Sequence, residues 1–185
     1  MIIWLNGAFG VGKTTATTAM IRQAPRMAAF DPEEIGSLIT RVRCAPSGDY
    51  QDLPAWRHLV IATVAELAGH ACAPLVVPMT LLNEGYAREI FDGIHGRGAQ
   101  ITHVVLHCEP DELAARIDGD MLDGTAAVVA ARRIWRHSRL PAYYQAVPML
   151  HRLGKPLVID TTKLSAAEVA RRVLRSAAIT YQEHR

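Results

Sequence analysis

The sequence predicts an α/β protein in which a five-stranded parallel sheet is covered by helices on both faces. Short apolar runs alternate along the chain with longer segments whose apolar residues recur at helical spacing. The runs at residues 74–78 and 101–107 are apolar without alternation, which is typical of strands that are covered on both sides. Because parallel strands need crossover connections, this order favours a three-layer α/β fold.

The individual elements follow from apolar runs, helical spacing and helix-start signals such as the proline and acids after Asp31. The predicted strands are residues 2–5, 27–30, 74–78, 101–107 and 157–160. The predicted helices are residues 14–23, 31–43, 54–67, 83–96, 109–117, 125–137, 141–153 with an interruption near Pro148, and 164–178. Residues 45–53 contain proline, serine, glycine and aspartate, which predicts a loop. Residues 118–124 contain aspartate and glycine and are predicted to break the preceding helix.

Composition and charge are those of an ordinary globular protein. The chain has 185 residues, half of them apolar, and a formal net charge of +2. A charge this small predicts no nucleic-acid partner. No apolar run approaches the roughly 18 residues of a membrane span, so we expect no stable membrane insertion.

Cysteine usage and the start of the chain predict the compartment. Cys44, Cys72 and Cys108 are odd in number and far apart, as expected for reduced thiols. The first residues lack the features of a signal peptide. We therefore expect one cytoplasmic domain, residues 1–185.

A glycine-rich turn follows the first predicted strand and leads into the first predicted helix. It satisfies the spacing G-x-x-x-x-G-K-[ST]. Glycines let backbone N–H groups face an anion, Lys13 reaches the β- and γ-phosphates, and the Thr14 hydroxyl can bind Mg²⁺. The motif predicts a P-loop NTPase fold of the nucleoside-kinase type that binds a nucleoside triphosphate. The residues assigned to the nucleotide are Gly7, Ala8, Phe9, Gly10, Val11, Gly12, Lys13, Thr14 and Thr15.

Asp31 is the candidate catalytic carboxylate and a second candidate ligand for the metal. It ends the second predicted strand, and ligands bind at the carboxyl ends of strands in open α/β sheets. There it can accept a proton from an acceptor hydroxyl or hold a metal-bound water. The alternative is a helix cap for the segment that follows, and both roles stay open.

An acid is normally expected after the strand at residues 74–78, but this chain has Pro78-Met79-Thr80 there. Thr80 either contributes a hydroxyl in place of the carboxylate or caps the next segment.

Arginines cluster after Asp118 and predict a lid over the nucleotide around residues 117–140. Arg132, Arg136 and Arg139 fall on one helical face. Arginine stabilises charge on a transferring phosphoryl group, so Arg136 is assigned to catalysis together with Lys13. Arg116 is assigned to the nucleotide, to stack on it or clamp it. A solvated basic face is the alternative for these arginines.

The histidines of the fourth predicted strand and three aromatic residues are interpreted as parts of the folded core and not of a functional site. His103 and His107 share a face of a predicted core strand, with Cys108 adjacent, but spacing places no third metal ligand. Hydrogen-bonded structure is the favoured interpretation of both histidines. Core packing is likewise favoured for Trp56, Tyr143 and Tyr144 over stacking on a base or sugar.

Four sequence blocks together resemble the tunicamycin resistance protein family. They are residues 1–10 (MIIWLNGAFG), 30–33 (FDPE) with Gly36, 54–57 (PAWR) and 77–80 (VPMT). The resemblance runs from residue 1 to about residue 165. That family is similar in layout to small-molecule P-loop kinases such as chloramphenicol phosphotransferase, shikimate kinase and gluconate kinase.

The resemblance implies that Lys13 and Thr14 bind ATP and Mg²⁺, and that Asp31 lies near the acceptor hydroxyl. It also implies protection against tunicamycin, a uridine-containing nucleoside antibiotic with a fatty-acyl chain. Three functions stay open: a kinase for tunicamycin or a similar nucleoside, an ATP-dependent protein that sequesters the drug, and a kinase for an ordinary metabolite. Some members are thought to attach to membranes through a basic C-terminal tail. We expect that tail to be short or absent here, since the chain stops at Arg185.

Overall fold

The structure is a computed structural model that describes residues 1–42, 45, 47–120 and 124–183. Cys44, the predicted helix end at Arg43 and residues 121–123 of the predicted lid lie outside these residues.

Five parallel strands form one sheet in the order β2-β3-β1-β4-β5. They are β1 (Ile2–Gly7), β2 (Ala28–Ala29), β3 (Leu75–Pro78), β4 (Ile101–His107) and β5 (Leu157–Asp160). In the central strand, Ile3 pairs with Val76 on one side and with Thr102 on the other. The predicted five-stranded parallel sheet is confirmed. Strand β2 is shorter than predicted, and it pairs with β3 as an edge strand.

Eight helices lie in the described residues, and they correspond to the predicted segments. They are α1 (Lys13–Gln23), α2 (Glu33–Val42), α3 (Pro54–His70), α4 (Glu84–His95), α5 (Pro110–Gly119), α6 (Ala126–Ser138), α7 (Leu140–Leu150) and α8 (Ala166–Glu183). A 3₁₀ turn, Tyr50–Asp52, precedes α3. The predicted interruption of α7 is wrong, because the helix continues through Pro148 and ends at Leu150. Proline removes one hydrogen bond of the last turn, where the helix is ending anyway.

The core has two halves, one on each face of the sheet. Successive side chains of β1 point to opposite faces. Ile3 therefore joins the cluster that contains Met20 of α1 and Val173 of α8. Trp4 joins the cluster that contains Trp56 of α3. These two clusters confirm the three-layer arrangement. None of the helices in the described part of the chain is both long and apolar enough to span a bilayer.

The parallel order of the strands places several loops at one edge of the sheet. Every strand ends at the same edge, so the segments after β1, β2, β3 and β5 lie near one another. These segments carry Gly7 to Lys13, Asp31, Thr80 and Thr161. The fold thus brings the candidate residues of the sequence to one place.

Candidate functional site

The loop between β1 and α1 has a backbone that depends on its glycines. Gly12 caps α1 with a φ of 100°, in the left-handed region that favours glycine. A Cβ on Gly7 would lie 2.5 Å from the carbonyl oxygen of Leu106. Since α1 begins at Lys13, the positive end of its dipole points at the loop. This geometry is that of an anion-binding P-loop.

Three acceptors surround the Lys13 ammonium. Its Nζ donates to the carbonyl oxygens of Gly7 (3.0 Å) and Ala8 (2.9 Å) and to the Thr80 hydroxyl oxygen (2.7 Å). Burial lowers the pKa of Lys13 to about 8, although the charges of Glu33 and Asp31 oppose this shift. The lysine is therefore a partly buried cation whose charge the Glu33 and Asp31 carboxylates favour.

Thr80 connects β3 to the phosphate loop. Its buried hydroxyl donates to the Gly7 carbonyl oxygen at 2.8 Å and accepts from Lys13. The interpretation of Thr80 as a cap for the next segment is wrong, because Asn83 caps α4 by accepting from Tyr86 N. The hydroxyl thus occupies the place where an acid was expected and contacts the loop directly.

Asp31 and Glu33 form an acidic pair at the start of α2. The Asp31 carboxylate accepts from the Glu33 backbone N–H at 2.9 Å, as a helix cap does, and it also lines the cleft beside Lys13. Burial and the Asp31 charge raise the pKa of Glu33, while Lys13 and Arg136 act in the opposite direction. Sequence reasoning missed Glu33 as a site residue. The signal was its position two residues after Asp31, in the turn that faces the loop.

Arg116 joins the phosphate loop to the segment after β5. Nε pairs with Glu112 at 2.8 Å, Nη1 donates to Val11 O and Thr161 Oγ1, and Nη2 donates to Thr161 O and Thr162 O. These five hydrogen bonds use the five N–H groups of the guanidinium. Arg116 also lines the cleft.

The segment around α6 also lines the cleft. Arg136 forms an ion pair with Asp120 at the end of α5. Trp135 packs edge-on against Phe9 of the phosphate loop, with ring centroids 4.8 Å apart. The predicted lid segment therefore contacts the loop through an aromatic pair.

The site residues surround a cleft of about 1180 Å³. Residues 9–16 line it along the loop, so Thr14 and Thr15 face it, while Gly7 and Ala8 contribute the carbonyl groups that hold Lys13. Its other walls include Asp31, Glu33, Tyr50, Arg116, Trp135 and Arg136. Tyr50 and Trp135 are further cleft residues that sequence reasoning did not single out.

The two strand histidines make hydrogen bonds within the fold. His103 donates from Nδ1 to the Leu153 carbonyl oxygen at 2.8 Å, and His107 Nδ1 lies 3.2 Å from the Tyr143 hydroxyl. In the described part of the chain, no group of three or more His, Cys, Asp or Glu side chains has the geometry to hold a metal ion.

Comparisons with known proteins agree with this fold. A family model described as AAA domain matches residues 2–139. No curated protein is significantly similar to the chain. Among solved structures, the tunicamycin resistance protein of Deinococcus radiodurans is 26% identical, with 95% of this chain and 94% of that chain covered and a TM-score of 0.69.

Two kinases of lower identity share the fold. The gluconokinase of Sinorhizobium meliloti is 16% identical, with a TM-score of 0.64 and coverage of 99% of this chain and 97% of that one. The APS kinase of Mycobacterium tuberculosis, solved with AMPPNP and APS, is also 16% identical, with a TM-score of 0.59 and coverage of 94% and 95%. The family match includes the phosphate loop, the acidic pair and α6. The chain therefore belongs to the AAA domain family and has a P-loop kinase-like fold.

Proposed function

We propose that this protein is an ATP-dependent kinase that transfers the γ-phosphate to a hydroxyl group of tunicamycin or a similar nucleoside. The observation that carries the proposal is that one cleft joins the phosphate loop to the acidic pair Asp31 and Glu33. A triphosphate on the loop would present its last phosphate to these carboxylates. The similarity to a tunicamycin resistance protein supports the choice of acceptor.

The loop side of the cleft is suited to ATP. Backbone N–H groups, the start of α1 and Lys13 together favour a polyphosphate. Arg116 has its N–H groups engaged by protein atoms, so it would contact the base through its flat face. Arg136 also lines the cleft, where it would stabilise charge on the transferring phosphoryl group. The segment from residue 117 to 140 would act as the lid that brings it there.

Oxygen ligands for Mg²⁺ are present in the same cleft. Thr14 provides a hydroxyl and Asp31 provides a carboxylate, and both are ligand types that Mg²⁺ prefers. When bound, the ion would neutralise charge on the β- and γ-phosphates.

The acidic pair would orient the acceptor and take its proton. Asp31 is held by the Glu33 N–H, and the raised pKa of Glu33 makes its carboxylate a stronger base than an ordinary glutamate. As the acceptor oxygen bonds to the γ-phosphorus, the bond from that phosphorus to the β–γ bridging oxygen breaks. ADP leaves, and the hydroxyl proton passes to Glu33.

Capture of the drug without chemistry is the second candidate function. It is favoured by Thr80, a neutral hydroxyl at the position where phosphoryl-transfer enzymes of this fold carry an acid. In that case ATP would stabilise a closed cleft around the drug, and the acidic pair would only bind its hydroxyl groups.

Mass spectrometry separates the two functions. Incubation with ATP, Mg²⁺ and tunicamycin should add one phosphate to the drug, and Lys13→Ala should abolish the product. Glu33→Gln should lower the rate by about a hundredfold or more, because a general base is removed. Glu34→Gln, at the neighbouring acid outside this cleft, is the matched control.

Drug that binds only in the presence of ATP and stays unmodified would contradict the kinase function and favour capture. Transfer to other hydroxyl compounds alone would indicate a metabolite kinase.

A further inference from the structure

A glycine inside α2 allows a tyrosine ring to lie on the helix backbone. Glycine is a poor residue for a helix interior, and Gly36 is buried. A Cβ on Gly36 would lie 2.7 Å from Tyr50 Cδ1 and 2.8 Å from both Cε1 and Cγ. The close approach of the Tyr50 ring therefore explains why position 36 has a glycine.

The ring of Tyr50 is also held from the side of α3. Trp56, which is fully buried, packs against it with ring centroids 5.3 Å apart. The Trp56 indole N–H donates to the Pro32 carbonyl oxygen at 3.1 Å, which fixes the indole relative to the start of α2. Tyr50 thus lies between two helices in a defined position.

Hydrogen bonds hold the rest of the 3₁₀ turn. The Gln51 side-chain amide donates to Thr80 O at 2.9 Å, and Arg57 donates to Gln51 O at 2.6 Å. The Tyr86 hydroxyl donates to the Asp52 carboxylate at 3.0 Å. Each residue of the turn is therefore held in place by contacts with other parts of the chain.

Tyr50 faces the acidic pair. It is half-buried and lines the same cleft as Asp31 and Glu33. Burial, followed by the charges of Glu33, Asp49 and Asp31, raises the pKa of Tyr50. These negative charges favour the protonated phenol, which can donate a hydrogen bond within the cleft.

We propose that Tyr50 is the specificity-determining residue for the acceptor, and that it selects a hydroxyl compound with a ring, such as a sugar or a nucleoside. This inference rests on the proposed function, because the acceptor must place a hydroxyl group at Glu33. A fixed aromatic surface gains contact area from a flat C–H face or a base, and it loses little conformational entropy on binding. An open-chain acid has no flat face, and its charge would lie beside two carboxylates.

Calorimetry with four probes tests the proposal. Tunicamycin, uridine, N-acetylglucosamine and gluconate are titrated into the protein in the presence of ADP and Mg²⁺. At least one ring compound should bind, and gluconate should not. Tyr50→Ala should weaken that binding by about tenfold or more, and Tyr50→Phe by less. ADP affinity should stay within about twofold of the wild type in both variants.

Gly36→Ala provides a test that leaves Tyr50 in the chain. Its Cβ displaces the ring, so the affinity for the ring compound should fall as it does in Tyr50→Ala. Gly69→Ala is the matched control, because a Cβ there meets nothing within 4 Å and Gly69 also lies in a helix. If Tyr50→Ala does not fold, Tyr50→Leu keeps an apolar side chain without a flat ring.

Unchanged binding of the ring compound in both Tyr50→Ala and Gly36→Ala overturns the proposal. Failure of all three ring compounds to bind also overturns it, whether or not gluconate binds. A ring compound that binds through Tyr50 but is not phosphorylated supports the proposal and contradicts the kinase function, so the two failures are distinguishable.

Discussion

The Lys13 ammonium donates a hydrogen bond of 2.7 Å to the Thr80 hydroxyl oxygen, and that hydroxyl donates in turn to the Gly7 carbonyl group. A residue after β3 thereby fastens both the lysine and the backbone of the phosphate loop. Thr80 itself is almost fully buried, so its hydroxyl has little access to solvent.

The first prediction concerns this connection. Thr80→Val keeps the shape of the side chain but removes the hydroxyl. The Lys13 ammonium then loses one acceptor, and the Gly7 carbonyl oxygen loses the hydrogen bond from Thr80. The free energy of unfolding should fall by about 1–3 kcal/mol, the cost of buried polar groups that lose a partner. Urea denaturation measures it. Thr80→Ser retains the hydroxyl and should stay close to the wild type, so an equal loss in both variants would contradict the role of the hydroxyl.

Arg116 should contribute to base binding more than to phosphate binding. Arg116→Lys removes the flat guanidinium and leaves a charge at the same place. ATP affinity should fall by about tenfold, while the affinity for inorganic tripolyphosphate, which has no base, should change by about twofold at most. Calorimetry compares the two ligands. Arg97→Lys, on an exposed part of the chain after α4, is the control. Equal losses for both ligands would contradict stacking.

The lid can be followed through Trp135. This tryptophan is 45% exposed, whereas Trp4 and Trp56 are fully buried, so acrylamide should quench Trp135 selectively. If the segment around α6 closes on ATP, quenching should decrease when ATP is added. Phe9→Leu removes the edge-on contact and should increase quenching without ATP. Trp135→Phe should abolish the exposed component. Quenching that ATP leaves unchanged would count against a lid.

Stability should depend on pH through His103. Burial lowers the pKa of this histidine, and Nδ1–H donates to the Leu153 carbonyl oxygen. Above the unfolded-state pKa of about 6.5 the side chain is neutral in both states. As the pH falls from there to the lowered folded-state pKa, the unfolded state takes up a proton first and unfolding becomes easier.

Urea denaturation at pH 7.5 and pH 5.5 tests this sign. The wild type should lose more stability than His103→Gln over this interval, because glutamine does not titrate and can still donate to Leu153. A variant that loses as much stability as the wild type would assign the pH dependence to other groups.

Much of the fold could be predicted because its signals are local. The apolar runs of β3 and β4 mark covered strands, and the spacing from Gly7 to Thr14 marks a strand, a phosphate loop and a helix. The predicted interruption of α7 at Pro148 was wrong, because a proline so close to the end of a helix removes little of its hydrogen bonding.

A phosphate loop in a parallel sheet can be inferred from the amino-acid sequence, because both depend on residue types at fixed spacing. The surroundings of that loop follow only from the way the chain packs. Thr80 reaches Lys13 across 67 positions of the chain, Tyr50 lies on Gly36, and the five hydrogen bonds of Arg116 extend from Val11 to Thr162. Such contacts depend on how strands and helices pack, and residue spacing along one segment carries no information about them.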